Sequence, residues 1–143
     1  NINVSRFGPR IAGCGGVVHI SQMTPNVFFC GTFTNGGLKV AVENGEVKIL
    51  QEGKSNKFVK SVDQVTFNGE YATKMHKNVW YITERCVFKL TDKGLKLMEV
   101  APGVNVEKDI LAHMDFKPIV EDYTTMDTRI FSESLMGLKN RNI

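Results

Sequence analysis

Val27-Phe28-Phe29-Cys30-Gly31-Thr32-Phe33 sets β-branched and aromatic residues at consecutive positions. A strand with one wet face alternates apolar and polar residues, so an unbroken run predicts a strand covered on both faces and central in its sheet. Thr34-Asn35-Gly36-Gly37 breaks it. Lys39-Val40-Ala41-Val42-Glu43 and Glu46-Val47-Lys48-Ile49-Leu50 then flank Asn44-Gly45, a turn that needs positive φ at both positions and so marks a β-hairpin. Val79-Trp80-Tyr81-Ile82-Thr83, Val87-Phe88-Lys89-Leu90 and Leu95-Lys96-Leu97-Met98-Glu99-Val100 read as a meander, with a tight turn at Asp92-Lys93-Gly94.

Between these strands, Gly53 to Lys60 is rich in lysine and small polar residues, and Val65-Thr66-Phe67 ends at Asn68-Gly69, read as a loop. Pro102-Gly103 stops the meander. Asn105 is an N-cap for a helix from Val106 to Met114, whose Val106, Ile110, Leu111 and Met114 share one face and whose Glu107 and Asp109 suit its positive end. A second helix is expected over Arg129 to Leu138, and the last five residues read as frayed. The expected fold is α/β: a single β-rich domain over 1–143, with an open mixed or largely parallel sheet and helices mainly at the C-terminal end.

Composition agrees. Of 143 residues, 42% are apolar and 23% charged, a globular balance that excludes disorder, collagen and coiled coil. The net charge of +3 is too small and too evenly spread to make nucleic acid or an anionic membrane the main partner. No apolar run approaches the ~18 residues of a membrane span. Cys14, Cys30 and Cys86 are odd in number and lack Cys-x-x-Cys spacing, which argues against a disulfide framework or zinc site and fits a reducing cytoplasm. The first Met is Met23, so the chain reads as a piece of a longer polypeptide, one of whose faces packed on the missing part.

Few residues carry chemistry. His19, His76 and His113 have no Ser or Cys beside them in a nucleophile setting. His113 with Asp115 is half a metal site, more simply a histidine at a helix end. Glu121, Asp122 and Asp127 lack calcium-loop spacing, and Lys54, Lys57 and Lys60 read as a solvated face. Glu43, beside Asn44-Gly45, is a tempting nucleophile. It alternates with Val42 and Val40 along a strand, and pairing across the hairpin explains it better. Gly13-Cys14-Gly15-Gly16 remains: successive backbone N–H groups in a glycine turn ahead of a short helix can cradle an anionic oxygen. The same glycines would also serve a tight turn beneath a strand.

The run Asn1-Ile2-Asn3-Val4-Ser5-Arg6-Phe7-Gly8-Pro9-Arg10-Ile11-Ala12-Gly13-Cys14-Gly15-Gly16 resembles the C-terminal half of the short-chain acyl-CoA:carboxylate CoA-transferases, the propionate, acetate and acetoacetate type. Phe28 to Thr34, Gln64 to Gly69, Tyr81 to Phe88 and Glu99 to Val104 resemble further blocks of that family, in family order. The resemblance implies an open α/β half-fold, the C-terminal part of an enzyme truncated on its N-terminal side. It also implies CoA transfer between a short-chain acyl-CoA and a free carboxylic acid through a glutamyl-CoA thioester.

The family's nucleophilic glutamate stands in a Glu-Asn/Ser-Gly setting, upstream of the segment that Asn1 begins. By the resemblance, then, no residue of this chain is the catalytic nucleophile, and the chain is inactive alone. Gly13, Gly15 and Gly16 match the family's loop beside that glutamate, and Asn3 matches an asparagine of the same site. Coenzyme A enters as a substrate, with no metal or redox cofactor. The implied partners are an acyl-CoA, a short-chain carboxylate, the N-terminal part of the same polypeptide and, in the full enzyme, further copies of itself. Two other readings stand beside this one: a non-catalytic CoA- or carboxylate-binding module, and a β-rich interaction domain in which the glycines are structural.

Overall fold

Short-range turn chemistry and long apolar runs together set the order of elements. The structure, a computed structural model, describes residues 1–138. In chain order its elements are β1 (Arg6–Phe7), β2 (Arg10–Ile11), α1 (Val17–Met23), β3 (Asn26–Cys30), β4 (Thr34–Asn35), β5 (Lys39–Glu43), β6 (Glu46–Gln51), β7 (Ser55–Asn56), α2 (Gly69–Lys74), β8 (Asn78–Ile82), β9 (Cys86–Thr91), β10 (Gly94–Val100) and β11 (Thr124–Thr125). Between β10 and β11 a π-turn, Val106–Ile110, runs into a 3-10 turn, Leu111–His113; another 3-10 turn, Thr128–Phe131, follows β11.

Five strands form one mixed sheet in the order β11-β10-β9-β8-β3. β8, β9 and β10 are the expected antiparallel meander. β3 runs parallel to β8, with Phe28 opposite Trp80 and Phe29 opposite Tyr81. The mixed α/β class is as read from the sequence. So is the hairpin: β5 pairs with β6 across Asn44 at φ 53° and Gly45 at φ 78°, the left-handed pair that a two-residue turn demands.

The main core lies on one face of the sheet, where Val27, Val79, Tyr81, Phe88 and Leu97 pack with Phe67 and Ile110. Phe29 stacks on Tyr81 at 5.5 Å and meets Phe67 edge-on at 5.0 Å. A smaller cluster of Val47, Val87, Ala101, Met126 and Phe131 covers part of the other face.

Six expectations are corrected. The strand read over Val27 to Phe33 ends at Cys30; Phe33 leaves the sheet and is buried against Phe58 and Phe88. Nor is that strand central: β3 is the edge of the sheet among the described residues. Asn68-Gly69 is no loop. The Asn68 side chain accepts the Tyr71 N–H at 3.0 Å and caps α2, because Asn serves turns and N-caps by the same hydrogen bond.

Helix is also not concentrated at the C-terminal end. Both α-helices lie before residue 75, while the stretch from Val106 is a π-turn and a 3-10 turn. There the Asp109 carbonyl accepts from Arg85 at 2.8 Å. The helix expected over Arg129 to Leu138 stops after Phe131, where the Ser132 hydroxyl accepts the Ser134 N–H at 3.2 Å and offers the backbone a turn instead. The fraying read for the last five residues lies outside the described residues.

Candidate functional site

The N-terminal glycine loop is presented by a small hairpin. Asn3 shapes its entry: the side-chain oxygen accepts the N–H groups of Ser5 at 3.0 Å and Arg6 at 3.1 Å, and its amide donates to the Arg6 carbonyl. β1 and β2 then pair, with Arg6 opposite Ile11. Ala12 N–H donates to the Ser5 carbonyl at 2.8 Å, so Asn3 and Gly13 stand on the two arms of one hairpin. The side chain of Asn3 is engaged with its own turn.

Gly13 at φ 77° and Gly15 at φ 50° adopt left-handed backbone that other residues avoid. Gly16 differs: at φ −80° and ψ −3° it is the N-cap of α1, with its carbonyl accepting from Ile20 at 3.0 Å. Any residue can adopt that conformation. A Cβ on Gly16 would meet only the Ile20 Cδ1 at 3.5 Å, and one on Gly13 or Gly15 would meet nothing within 4 Å. The loop is exposed, and the N–H groups of Gly15 and Gly16 donate to no group among the described residues. At the far end of α1, Lys77 donates to the carbonyls of Gln22 at 2.6 Å and Thr24 at 2.7 Å. A cation there satisfies orphan carbonyls and complements the negative end of the helix.

Glu43 has the partner expected for a hairpin residue: it is exposed and ion-paired with Lys48. His113 joins no metal-ligand cluster; among the described residues no three His, Cys, Asp or Glu side chains gather to hold an ion. Its Nε2 lies 3.4 Å from Glu52. That contact leads to an assembly the sequence reading missed. Arg85 is 0% exposed, and its guanidinium bonds Glu52 with both terminal nitrogens, at 2.8 and 3.1 Å. The Nε donates to Glu84 at 2.7 Å, and the plane lies 4.8 Å above the Phe33 ring. Glu84 in turn accepts the Phe33 N–H at 2.8 Å.

Burial alone would push the Glu52 carboxyl up. Hydrogen bonds from Arg85, Thr34 and the Gly53 N–H, with the charge of Arg85, hold it instead at about 2. A carboxyl depressed in the folded state stabilises the fold above its unfolded value near 4.5, and that contribution is lost as pH falls toward about 2. Urea unfolding at about pH 5 and about pH 3 is expected to show a loss of stability that Glu52→Gln largely removes. An equal acid loss in the variant would assign it to other carboxylates. Cys86, fully buried beside Thr83, has its thiol pushed up to about 12 by burial and offers no thiolate.

No family model matches the chain. Over 138 residues, 96% of the chain, it is 43% identical to the acetate CoA-transferase YdiF of Escherichia coli K12, and it covers 26% of that protein. It is 44% identical over 144 residues to the caffeate CoA-transferase of Acetobacterium woodii, of which it covers 27%. The solved acyl-CoA transferase YdiF of Escherichia coli O157:H7 superposes over 96% of the chain with a TM-score of 0.93 as its thioester complex with CoA and 0.94 as the apoenzyme.

The chain is homologous to part of a CoA-transferase. It spans about a quarter of the length of these relatives. The glycine loop and the Arg85 cluster lie in two of the sequence blocks on which the resemblance rests, residues 1–16 and Tyr81 to Phe88. No helix among the described residues is long and apolar enough to cross a membrane.

Proposed function

We propose that this chain is the C-terminal part of a CoA-transferase and supplies its oxyanion-accepting glycine loop. Gly16 carries the reading. Neither its φ nor any neighbour requires a glycine there, which fits a backbone that a substrate oxygen must approach closely.

In this reading a glutamate from the part of the enzyme not represented here attacks the thioester carbonyl of an acyl-CoA. The tetrahedral oxyanion expels CoA thiolate and leaves an acyl-glutamyl anhydride. The thiolate attacks the glutamyl carbonyl and expels the free acid, forming a glutamyl-CoA thioester. A second carboxylate then runs both steps in reverse and departs as its CoA ester. Coenzyme A is a substrate, and no step calls for a metal or redox group. A carboxylate is a weak nucleophile, so each oxyanion needs preorganised donors. The N–H groups of Gly15 and Gly16 supply them.

The test replaces the matching quarter of the Escherichia coli relative with this chain and follows transfer of CoA from acetyl-CoA to a carboxylate. Gly16→Val is expected to lower kcat about 10²- to 10³-fold, the scale of one oxyanion donor, at an unchanged melting temperature. Unchanged turnover with a lower melting temperature would make the glycine structural. A folded chimera that binds CoA without transferring it would assign the chain to a binding module.

A further inference from the structure

We propose that the free edge of β3, with the apolar groove beside it, seats a strand from the part of a CoA-transferase that this chain does not match. The position of β3 conflicts with its sequence. Asn26-Val27-Phe28-Phe29-Cys30 has the composition of a strand covered on both faces, yet among the described residues β3 pairs with β8 alone, and Phe28 is 58% exposed. Edge strands are normally blunted by charge, proline, a bulge or shortness. The opposite edge of the same sheet obeys this rule, since β11 has only two residues. β3 has five, uncharged, in unbroken register with β8.

Two further apolar surfaces accompany this strand: one is lined by it, the other precedes it in the chain. Phe28 opens onto a groove of about 440 Å³ that it lines with Trp80, Ile82, Met126, Ile130 and Phe131. Directly before β3 in the chain, α1 leaves Ile20 64% and Met23 80% exposed. An apolar groove beside an unblunted strand is the mark of an interface. The occupant follows from the relatives. The same fold recurs at a TM-score of 0.93 to 0.94 within proteins nearly four times as long, so nearly three quarters of each lies outside the match and can supply a strand and its covering layer. The inference rests on the reading above only for the identity of the partner.

Hydrogen exchange of residues 26–30 tests it, in the isolated chain and in the chimera with the Escherichia coli relative. Half the amides of a strand paired on one side face its free edge, and these are expected to exchange quickly in the isolated chain and at least about tenfold more slowly in the chimera. Phe28→Lys is expected to leave the melting temperature of the isolated chain unchanged and to lower that of the chimera by several degrees.

Equal exchange in both settings would overturn the proposal. So would protection in the isolated chain that rises with concentration alongside a dimer in light scattering, since the occupant would then be a second copy. A chimera with β3 protected and no CoA transfer would keep this inference and defeat the functional reading. Transfer with β3 unprotected would do the reverse.

Discussion

Arg85→Ala is expected to destabilise the fold by about 3–5 kcal/mol, the range for breaking a buried ion pair by removing one partner. The guanidinium has no exposed surface and faces two carboxylates, the Asp109 carbonyl and the Phe33 ring. Truncation would strand Glu52 and Glu84, each less than a quarter exposed, with their charge uncompensated. It would also leave a void beside Phe33 and free the Asp109 carbonyl. Against a domain stability of about 5–15 kcal/mol the loss is large.

Arg85→Lys should recover only part of it, because an ammonium cannot bond both Glu52 oxygens in the planar fork that a guanidinium makes. The penalty should also depend on pH. In the wild type Glu52 stays ionised down to about 2, but without Arg85 it can shed its charge by taking up a proton at higher pH, so the deficit should shrink on acidification. Urea unfolding of the three proteins at neutral and acidic pH gives the answer. A deficit below about 1 kcal/mol at neutral pH, near the scale of an exposed pair, would show that the cluster contributes little.

Elements governed by adjacent residues were legible before any coordinates. Asn44-Gly45 encodes its own turn, since only residues tolerant of positive φ fit there and the strands on either side follow. The meander was legible for the same reason. Asn68-Gly69 misled because its local chemistry has two outcomes, and the choice of helix depends on burying Ala72 in the main core. Arg85 was invisible for a stronger reason. Glu84-Arg85 lies between two strands, and the partners that bury Arg85, Glu52 and Asp109, stand 33 and 24 residues away. The apolar character of β3 was legible too; its place at the edge of the sheet was not, because strand order is set by contacts far apart in sequence.

The candidate site divides in the same way. Gly13 and Gly15 stand where left-handed backbone turns the loop, so a glycine pattern found them. Gly16 is the more informative because its conformation is ordinary. Asn3 was singled out through the resemblance, and the structure shows its side chain engaged in shaping the hairpin that presents the loop.

Incubated alone with an acyl-CoA, the 143-residue chain is expected to form no acyl-glutamyl or glutamyl-CoA adduct. An oxyanion cradle acts only on a charge that a nucleophile creates, and four of the glutamates are already held in ion pairs. Glu43 is exposed and paired with Lys48, Glu70 is paired with Lys74 at 3.1 Å, and Glu52 and Glu84 bind Arg85. Near the loop, the Asp63 side chain accepts the Gly8 N–H at 2.7 Å. Trapping with borohydride or hydroxylamine, then mapping peptides by mass spectrometry, should find every glutamate of the isolated chain unmodified. The chimera should carry one modified glutamate, outside this chain. An adduct at Glu43 that disappears in Glu43→Gln would overturn the assignment. It would mean that a strand-end carboxylate with a lysine 5 residues away can leave its ion pair to attack a thioester, and that the glycine loop is not where the chemistry occurs.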